Sequence, residues 1–311
     1  NSLHGSIHEN YDRLKSRPDV TLVSIDPDRR KDPSARRELL NSVDIAILCL
    51  PDDAAREAVA LVDPASKTRL IDASTAFRVS EGWAYGMAEM SEAHRAQIAA
   101  SSRVANPGCY PQGLIALVRP LIDAGIMSAD YPVTYNAVSG YSGGGKKMIE
   151  SYEAAGSTAI PYLPYGLTFA HKHLPEMQRY AMLAHAPVFQ PAVGNYAQGM
   201  LGAVPVFGEL LVKRATGEAV RDCLAETYDG SPVIEVAPYA EIERLESISP
   251  EGLNNTNRMR LHVFSNELRG HLLLMAIYDN LGKGASGAAV QNLNIMIGAE
   301  ETLGTDLTQA S

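Results

Sequence analysis

The chain has 311 residues, of which 46% are hydrophobic and 20% charged, a composition typical of globular proteins with room for two domains. Its net charge of −9 argues against non-specific binding to nucleic acid or to an anionic membrane, and no apolar run approaches the roughly 20 residues that span a bilayer. The three cysteines lie far apart and no signal peptide is recognisable, so we expect a cytoplasmic protein without a disulfide framework or a metal.

The first third of the chain predicts a parallel sheet. Apolar runs at 20–25, 43–50 and 68–73 are typical of strands buried on both faces. Helical patterns at 34–42 and 53–62 lie between them, and this alternation indicates βαβ units of an α/β fold. Ligands of such sheets bind at the carboxyl ends of the strands.

Cationic and hydroxyl side chains follow these strands. An arginine after the first strand accommodates the 2′-phosphate of NADP, so Arg29 in the Arg-Arg-Lys cluster favours NADP, with a solvated charge run as the alternative. After the third strand come Ser74 and Arg78, and Arg78 either pairs with a phosphate or carboxylate or lies on the surface.

The phosphate-binding loop of a dinucleotide fold is not recognisable at the start of the chain. Such a fold begins with a strand, a G-x-G-x-x-G loop and a helix, but only residues 3–5 remain where that unit should end. We therefore expect the first strand and its loop to be absent or altered.

Cys109 lies in the turn Asn-Pro-Gly-Cys-Tyr-Pro-Gln-Gly, residues 106–113, between an apparent strand end and an apolar helix at 114–122. The amino end of a helix carries partial positive charge, which lowers a thiol's pKa. The sequence therefore predicts an activated nucleophile, and a buried structural cysteine is the alternative.

The glycine-rich stretch 139–147 follows a predicted strand at 133–138. It fits G-x-x-x-x-G-K, but Lys147 replaces the Ser or Thr that would hold Mg²⁺, so an NTPase is the weaker interpretation. A loop of this kind also cradles a phosphate or approaches a flat ring.

His171 and His173 are candidates for a base that serves the thiol. On a strand they would face the same way, which would also suit a metal, but no third ligand lies nearby in sequence. Two surface histidines in a loop remain the alternative.

The rest of the chain predicts an α+β domain with an open antiparallel or mixed sheet. Residues 199–213 and 258–277 have strand patterns, and 218–228 and 288–297 have helical ones. From residue 300 onward the polar sequence predicts a frayed tail.

Four motifs, in this order and spacing, carry a family resemblance: NPGCYPQG, SGYSGGGK, AHKHLPEM and NLGKGASGAAVQNLN. Over residues 20–298 the chain resembles the shorter, second type of N-acetyl-γ-glutamyl-phosphate reductase, a family similar to aspartate-semialdehyde dehydrogenase. The resemblance implies an NADP-binding Rossmann domain (1–108 with 282–311), a catalytic and dimerisation α+β domain with a mixed sheet (109–281), and a homo-oligomer, dimer or tetramer.

The resemblance also implies the chemistry of the site. Cys109 would attack an acyl phosphate and expel phosphate, and NADPH would reduce the thioester to a semialdehyde in arginine biosynthesis. His171, slightly favoured over His173, would be the acid/base. Arg78 and Lys146 would bind the substrate. The cofactor would contact Ser24, Arg29, Ser74, Asn106, Ser142, Gly143 and Asn280.

Two alternatives stay open. An aspartate-semialdehyde-type dehydrogenase would use the same fold with another substrate. A non-catalytic remnant would keep the fold without binding the cofactor, because the missing glycine-rich loop normally anchors the pyrophosphate. A smaller departure from the family is Gln112, which stands where the family usually has Thr.

Overall fold

The computed structural model describes the backbone of residues 3–307 and the side chains of residues 9–307. Its helices are α1 (Leu3–Leu14), α2 (Pro33–Leu40), α3 (Asp52–Ala60), α4 (Glu92–Ala100), α5 (Cys109–Asp123), α6 (Lys146–Ala155), α7 (Leu174–Tyr180), α8 (Gly217–Thr227), α9 (Tyr239–Ile242) and α10 (Gly287–Ile297). Its strands are β1 (Ile45–Leu48), β2 (Arg69–Asp72), β3 (Ala84–Tyr85), β4 (Arg103–Ala105), β5 (Thr134–Gly140), β6 (Tyr162–Pro164), β7 (Val188–Gly194), β8 (Met200–Phe207), β9 (Ile234–Val236), β10 (Met259–Asn266) and β11 (His271–Tyr278).

The predicted parallel sheet is present in the first third of the chain. Its order is β1-β2-β4-β3, and each neighbouring pair is parallel. The apolar predictions at 43–50 and 68–73 correspond to β1 and β2, and the helical patterns between them to α2 and α3. A parallel sheet places the carboxyl ends of its strands along one edge, so the loops after β1, β2 and β4 lie on the same side.

The strand predicted at 20–25 is wrong. These residues form no strand, and Leu22 and Val23 are exposed. A strand needs a neighbour for its backbone N–H and C=O groups. Within residues 3–307, β1 pairs only with β2, and no strand pairs with residues 20–25. An apolar pattern is therefore not enough to form a strand where no partner strand is available.

The second sheet is mixed, which is one of the two arrangements that the pattern allowed and the one that the family resemblance implied. Its order is β6-β7-β5-β8-β11-β10-β9, with β5 and β7 parallel and the β8–β11 and β10–β11 pairs antiparallel. One face is covered by α5 and α8, and its alternate residues form the larger apolar core. The buried positions along β8 and the first six residues of β11 alternate with half-buried or exposed ones on the opposite face.

The chain returns to the first sheet through α10. Ala289, Val290 and Leu293 of this helix pack with Ile71 and Val104 of the parallel sheet. The described part of the tail is not frayed, contrary to the prediction. The carboxyl group of Asp306 accepts a hydrogen bond from Asn257 N at 2.7 Å, and Leu307 N donates to Asn255 O at 2.8 Å. Residues 308–311 lie outside the described chain. None of the described helices is both long and apolar enough to cross a membrane.

Candidate active site

Cys109 is the first residue of α5, a helix that begins there and not at residue 114 as predicted. The helix is buried on all sides, because residues 114–118 all lie in the larger core. The Tyr278 hydroxyl donates to the carbonyl oxygen of Cys109 at 2.7 Å. A Cβ at Gly284 would lie 3.0 Å from that of Cys109. Cys109 is thus fixed between the helix start and the turn after β11.

Three polar side chains converge on Gly108, the residue before the nucleophile. A Cβ at this position would lie 2.6 to 2.8 Å from Arg78 Nη1, Glu176 Oε1 and His173 Nε2. Any larger residue would therefore push this group apart. The absent side chain is what lets the three side chains approach the Cys109 peptide.

Arg78 and Glu176 form a buried ion pair. The Nη1–Oε1 distance is 2.6 Å, and both side chains are less than a tenth exposed. The other guanidinium nitrogens donate to Asn106 O and Ala73 O, each at 3.0 Å. Arg78 is therefore not a surface arginine, and its charge is partly met within the protein.

Glu176 was missed as a site residue, although it belongs to the AHKHLPEM motif. Its second oxygen accepts hydrogen bonds from the Tyr85 hydroxyl at 2.7 Å and from Gly108 N at 3.1 Å. Glu176 and Tyr85 lie 91 residues apart in sequence, so only the tertiary fold brings them together. Nothing in the sequence signalled Tyr85.

His171 and His173 lie together in the turn before α7, not on a strand as one interpretation required. Their ring centroids are 4.7 Å apart, and His171 Nδ1 accepts a hydrogen bond from His173 N at 3.2 Å. His173 is buried, and its Nδ1 has no hydrogen-bond partner within residues 3–307. No cluster of three metal-binding side chains occurs in the described part of the chain.

Burial sets the protonation states of the site. It raises the pKa of the Cys109 thiol to about 11, although Arg78 and the Tyr110 backbone N–H act in the opposite direction. The prediction of a lowered pKa is therefore wrong for the free protein: desolvation outweighs the helix start. Burial also lowers the pKa of His171 to about 4 and that of His173 well below its usual value. The thiol and both imidazoles are therefore neutral in the free protein near neutral pH.

Ser142, Gly143 and Asn280, three of the residues predicted to contact a cofactor, lie together. Asn280 Nδ2 donates to Ser142 Oγ at 2.9 Å, and Asn280 Oδ1 accepts from Gly199 N at 2.8 Å. A Cβ at Gly143 would lie 3.5 Å from Asn280 Nδ2. Ser142 and Asn280 are buried, whereas Gly143 is exposed, so the loop presents bare backbone beside two fixed polar side chains.

Ser74 and Asn106 lie side by side at the carboxyl ends of β2 and β4. Both are bound to Asp72: Ser74 Oγ donates to its carboxylate at 2.6 Å, and Asn106 N donates to its carbonyl oxygen at 2.7 Å. Asn106 Nδ2 also donates to Ala285 O at 2.9 Å, which connects this edge of the sheet to the turn before α10. Burial raises the pKa of Asp72 to about 6.

Three of the residues predicted for the site lie on the surface. Within residues 3–307, no hydrogen bond or ion pair joins them to the site residues described above. Ser24 is exposed in the segment that failed to form a strand. Arg29 pairs with Asp32 at 3.3 Å and is 56% exposed. Lys146, the first residue of α6, is 59% exposed and lies 3.7 Å from Glu150. Their predicted roles thus depend on a ligand that reaches them.

Two family models match the chain. The model described as "Semialdehyde dehydrogenase, NAD binding domain" matches residues 19–98, and the one described as "Semialdehyde dehydrogenase, dimerisation domain" matches residues 109–280. The second match begins at Cys109 and ends at Asn280, and so spans both histidines and the glycine-rich loop.

Curated relatives are similar over nearly the whole chain. An N-acetyl-gamma-glutamyl-phosphate reductase of Chelativorans sp. (strain BNC1) is 57% identical over 287 residues, 92% of each protein. One from Mesorhizobium japonicum is 54% identical over 287 residues, 92% of this chain and 93% of its own. N-acetyl-gamma-glutamyl-phosphate reductase 2 of Nostoc sp. is 49% identical over 303 residues, 94% of each.

Solved structures with the same fold include two aspartate semialdehyde dehydrogenases. Enzyme II from Vibrio cholerae aligns with a TM-score of 0.62 at 18% identity, over 83% of this chain and 81% of its own. The enzyme from Francisella tularensis aligns with a TM-score of 0.64 at 15% identity, over 84% of each chain. At such identities the likeness shows the fold alone.

Proposed function

The chain belongs to the semialdehyde dehydrogenase family, among its N-acetyl-γ-glutamyl-phosphate reductases, and from this we propose how its residues carry out that reaction. N-acetyl-γ-glutamyl phosphate is reduced to N-acetylglutamate semialdehyde, with release of phosphate, in arginine biosynthesis. The observation that carries the proposal is the group around Gly108, where Arg78, Glu176 and His173 surround the peptide of Cys109.

In the first step, the Cys109 sulfur attacks the acyl carbon. The bond between that carbon and the phosphate oxygen breaks, and a thioester forms. The neutral thiol must lose its proton as it attacks, since burial raises its pKa to about 11. A histidine accepts this proton and passes it to the departing phosphate, so charge is not left in the buried site.

We propose His173 rather than His171 as this acid/base. Its Nε2 lies against Gly108, next to the nucleophile, and its side chain is buried. His171 Nδ1 is occupied by the backbone N–H of His173, so its position suits a group that orients the turn. This reverses the slight preference for His171 in the family resemblance.

A nicotinamide cofactor fits beside the cluster of Ser142, Gly143 and Asn280. The exposed backbone of Gly143 admits the close approach of a flat ring, and the buried Ser142–Asn280 hydrogen bond supplies a fixed polar wall. When bound, the reduced cofactor would supply the hydride that converts the thioester to the aldehyde. The Cys109 sulfur then leaves the acyl carbon and takes a proton from solvent water by way of His173.

The choice of NADP rather than NAD is supported by charge. Arg29 is exposed and follows Ser24 and the segment 20–25 in the sequence. In a dinucleotide-binding fold, an arginine at this point of the sequence can bind the 2′-phosphate of NADP. Its partner Asp32 is 41% exposed, and an exposed ion pair of this kind costs little to exchange for a phosphate. Ser74 and Asn106 line the carboxyl edge of the parallel sheet, where β2 and β4 end.

Substrate binding needs positive charge, because the acyl phosphate is anionic. Arg78 stabilises negative charge at Cys109 through its field, and each of its three nitrogens already donates one hydrogen bond to a group of the protein. Lys146 is exposed at the start of α6 and is free to turn towards a bound phosphate. We therefore propose that Arg78 acts on the thiolate and Lys146 on the substrate.

A homo-oligomer is supported by the open face of the mixed sheet. Leu201, Leu273, Met275 and Phe264 lie half-buried on the face opposite α5 and α8. Apolar surface of this kind, in a region matched by a domain described as a dimerisation domain, suits a second copy of the chain.

The domain division and location are proposed on separate grounds. The two sheets have separate apolar cores, and α10 packs on the first, which supports a domain of 1–108 with 282–311 and another of 109–281. The three cysteines are free, which supports a reducing cytosol.

The test is the reverse reaction. The protein is mixed with N-acetylglutamate semialdehyde, phosphate and NADP, and NADPH formation is followed by absorbance. We expect turnover that requires phosphate and is abolished in Cys109→Ser. Equal kcat/KM with aspartate semialdehyde would favour an aspartate-semialdehyde-type dehydrogenase. Absence of NADP binding by calorimetry would favour the non-catalytic remnant.

A further inference from the structure

The turn between β11 and α10, residues 279–286, includes a short π-helix, Gly282–Ser286, that runs directly into α10. It touches the nucleophile and the edge of the parallel sheet together. Gly284 lies against Cys109, and Ala285 O accepts the hydrogen bond from Asn106 Nδ2 at 2.9 Å. A displacement of this turn would therefore move the thiol relative to the cofactor face. What holds the turn in place is therefore relevant to catalysis.

Lys283 fixes the turn through both its side chain and its backbone. Its ammonium group donates to Glu89 Oε1 at 2.6 Å and to Gln291 Oε1 at 3.0 Å. Its carbonyl oxygen accepts from Gln112 Nε2 at 2.6 Å, one helical turn after Cys109 in α5. The side chains of Lys283 and Glu89 are 1% and 0% exposed.

A buried ion pair of this kind is a poor source of stability. Removing two charges from water costs about as much as their attraction returns, and apolar residues of similar volume often stabilise a protein more. Glu89 Oε2 has no hydrogen-bond partner in the described part of the chain, which adds to the cost. The ion pair does hold the two side chains in one position, because separating them would leave an unpaired charge buried in the protein.

We propose that Lys283 and Glu89 are a positioning pair, which holds the turn 279–286 against Cys109 and so sets the thiol for attack and for hydride transfer. The inference rests on the proposed function for its consequence in catalysis. Its structural part, the control of Cys109 by a buried ion pair, is measurable without substrate or cofactor.

The experiment compares Lys283→Met with the double variant Lys283→Met, Glu89→Gln, which leaves no unpaired charge and serves if the single variant does not fold. Lys15→Met is the matched control, because Lys15 also lies 2.6 Å from its partner, Asp12, but on the surface. Steady-state kinetics give kcat and KM. Alkylation by iodoacetamide, followed at each cysteine by mass spectrometry, reports on Cys109, with Cys223 as internal reference.

We expect the folded double variant to lose at least tenfold in kcat, with each KM within threefold of the parent. We expect alkylation of Cys109 to become at least threefold faster, because the turn no longer covers it, while Cys223 is unchanged. Lys15→Met should match the parent in both. Parent-like alkylation of Cys109 in the double variant would overturn the inference, whatever its kcat. If the parent itself shows no turnover, the proposed function fails, and the alkylation result still decides the positioning role.

Discussion

The backbone N–H of Gly108 donates a hydrogen bond of 3.1 Å to the carboxylate of Glu176, 68 residues further along the chain. This bond ties the turn that carries the nucleophile to α7, the helix that follows the two histidines. The same carboxylate binds the guanidinium of Arg78 and the hydroxyl of Tyr85. Glu176 therefore holds together the parts of the site that the sequence keeps apart.

Glu176→Gln should destabilise the protein strongly. The change removes the counter-charge of buried Arg78, and breaking a buried pair from one side costs about 3–5 kcal/mol in unfolding free energy. Urea denaturation measures this loss. Asp12→Asn breaks an exposed pair of the same 2.6 Å length and should cost about 0–1 kcal/mol. A loss for Glu176→Gln as small as that of the control would show that the pair contributes little.

The reactivity of Cys109 in the free protein should follow its raised pKa. Because the thiolate is the nucleophile and the pKa lies near 11, the alkylation rate should keep rising through pH 9 and 10. Iodoacetamide labelling with peptide mapping at a series of pH values gives the profile. A plateau reached below pH 8 would instead support the activated thiol that the helix start predicted.

The two histidines should differ in their effects on turnover. His173→Asn should lower kcat by about 10²–10⁴, the usual contribution of a general acid/base, since its Nε2 lies beside Gly108. His171→Asn should cost less, because an amide oxygen can still accept the hydrogen bond from the backbone N–H of residue 173. Single-turnover kinetics of phosphate release isolate the acylation step. A larger loss in His171→Asn would reverse the assignment.

The sequence predicted the parts of this protein that depend on local pattern. The strands β1 and β2 and the strand–turn–helix at Cys109 follow from periodicity and turn residues, whereas the mixed character of the second sheet came from the family resemblance. The strand at 20–25 failed because pairing depends on a neighbour that a local pattern does not reveal. The predicted direction of the Cys109 pKa shift is wrong because the shift depends on burial, which is a property of the whole fold.

The glycines of residues 282–287 show why a motif needs its surroundings. They have the spacing G-x-G-x-x-G and follow a strand and open a helix, as a dinucleotide fingerprint does. Yet a Cβ at Gly282 would collide with Thr256 O, and one at Gly287 would lie 2.6 Å from Asn257 Oδ1. These two glycines are required for packing inside the protein, so the spacing does not replace the unrecognised phosphate loop.

Asp72→Asn should change how stability depends on pH. Burial raises the folded pKa of Asp72 from 3.8 to about 6, so the folded protein holds a proton that the unfolded chain releases. The stability of the parent therefore falls as pH rises from about 4 to about 6, by about 3 kcal/mol from this group. Asparagine can still accept the hydrogen bond from Ser74 and should remove this fall. Urea denaturation at pH 4 to 7 compares the two proteins, and parallel curves would contradict the shift.

Arg29→Ala should discriminate between the two cofactors. If the guanidinium binds the 2′-phosphate, its loss should raise the KM for NADPH about tenfold, equivalent to about 1.4 kcal/mol, and leave the KM for NADH unchanged. Arg258→Ala is a matched control, because Arg258 is similarly exposed and paired, 3.1 Å from Glu235. Initial rates with each cofactor give the two constants. An unchanged KM for NADPH would make Arg29 part of a solvated charge run, and an equal rise for NADH would place its effect on the fold rather than on the phosphate.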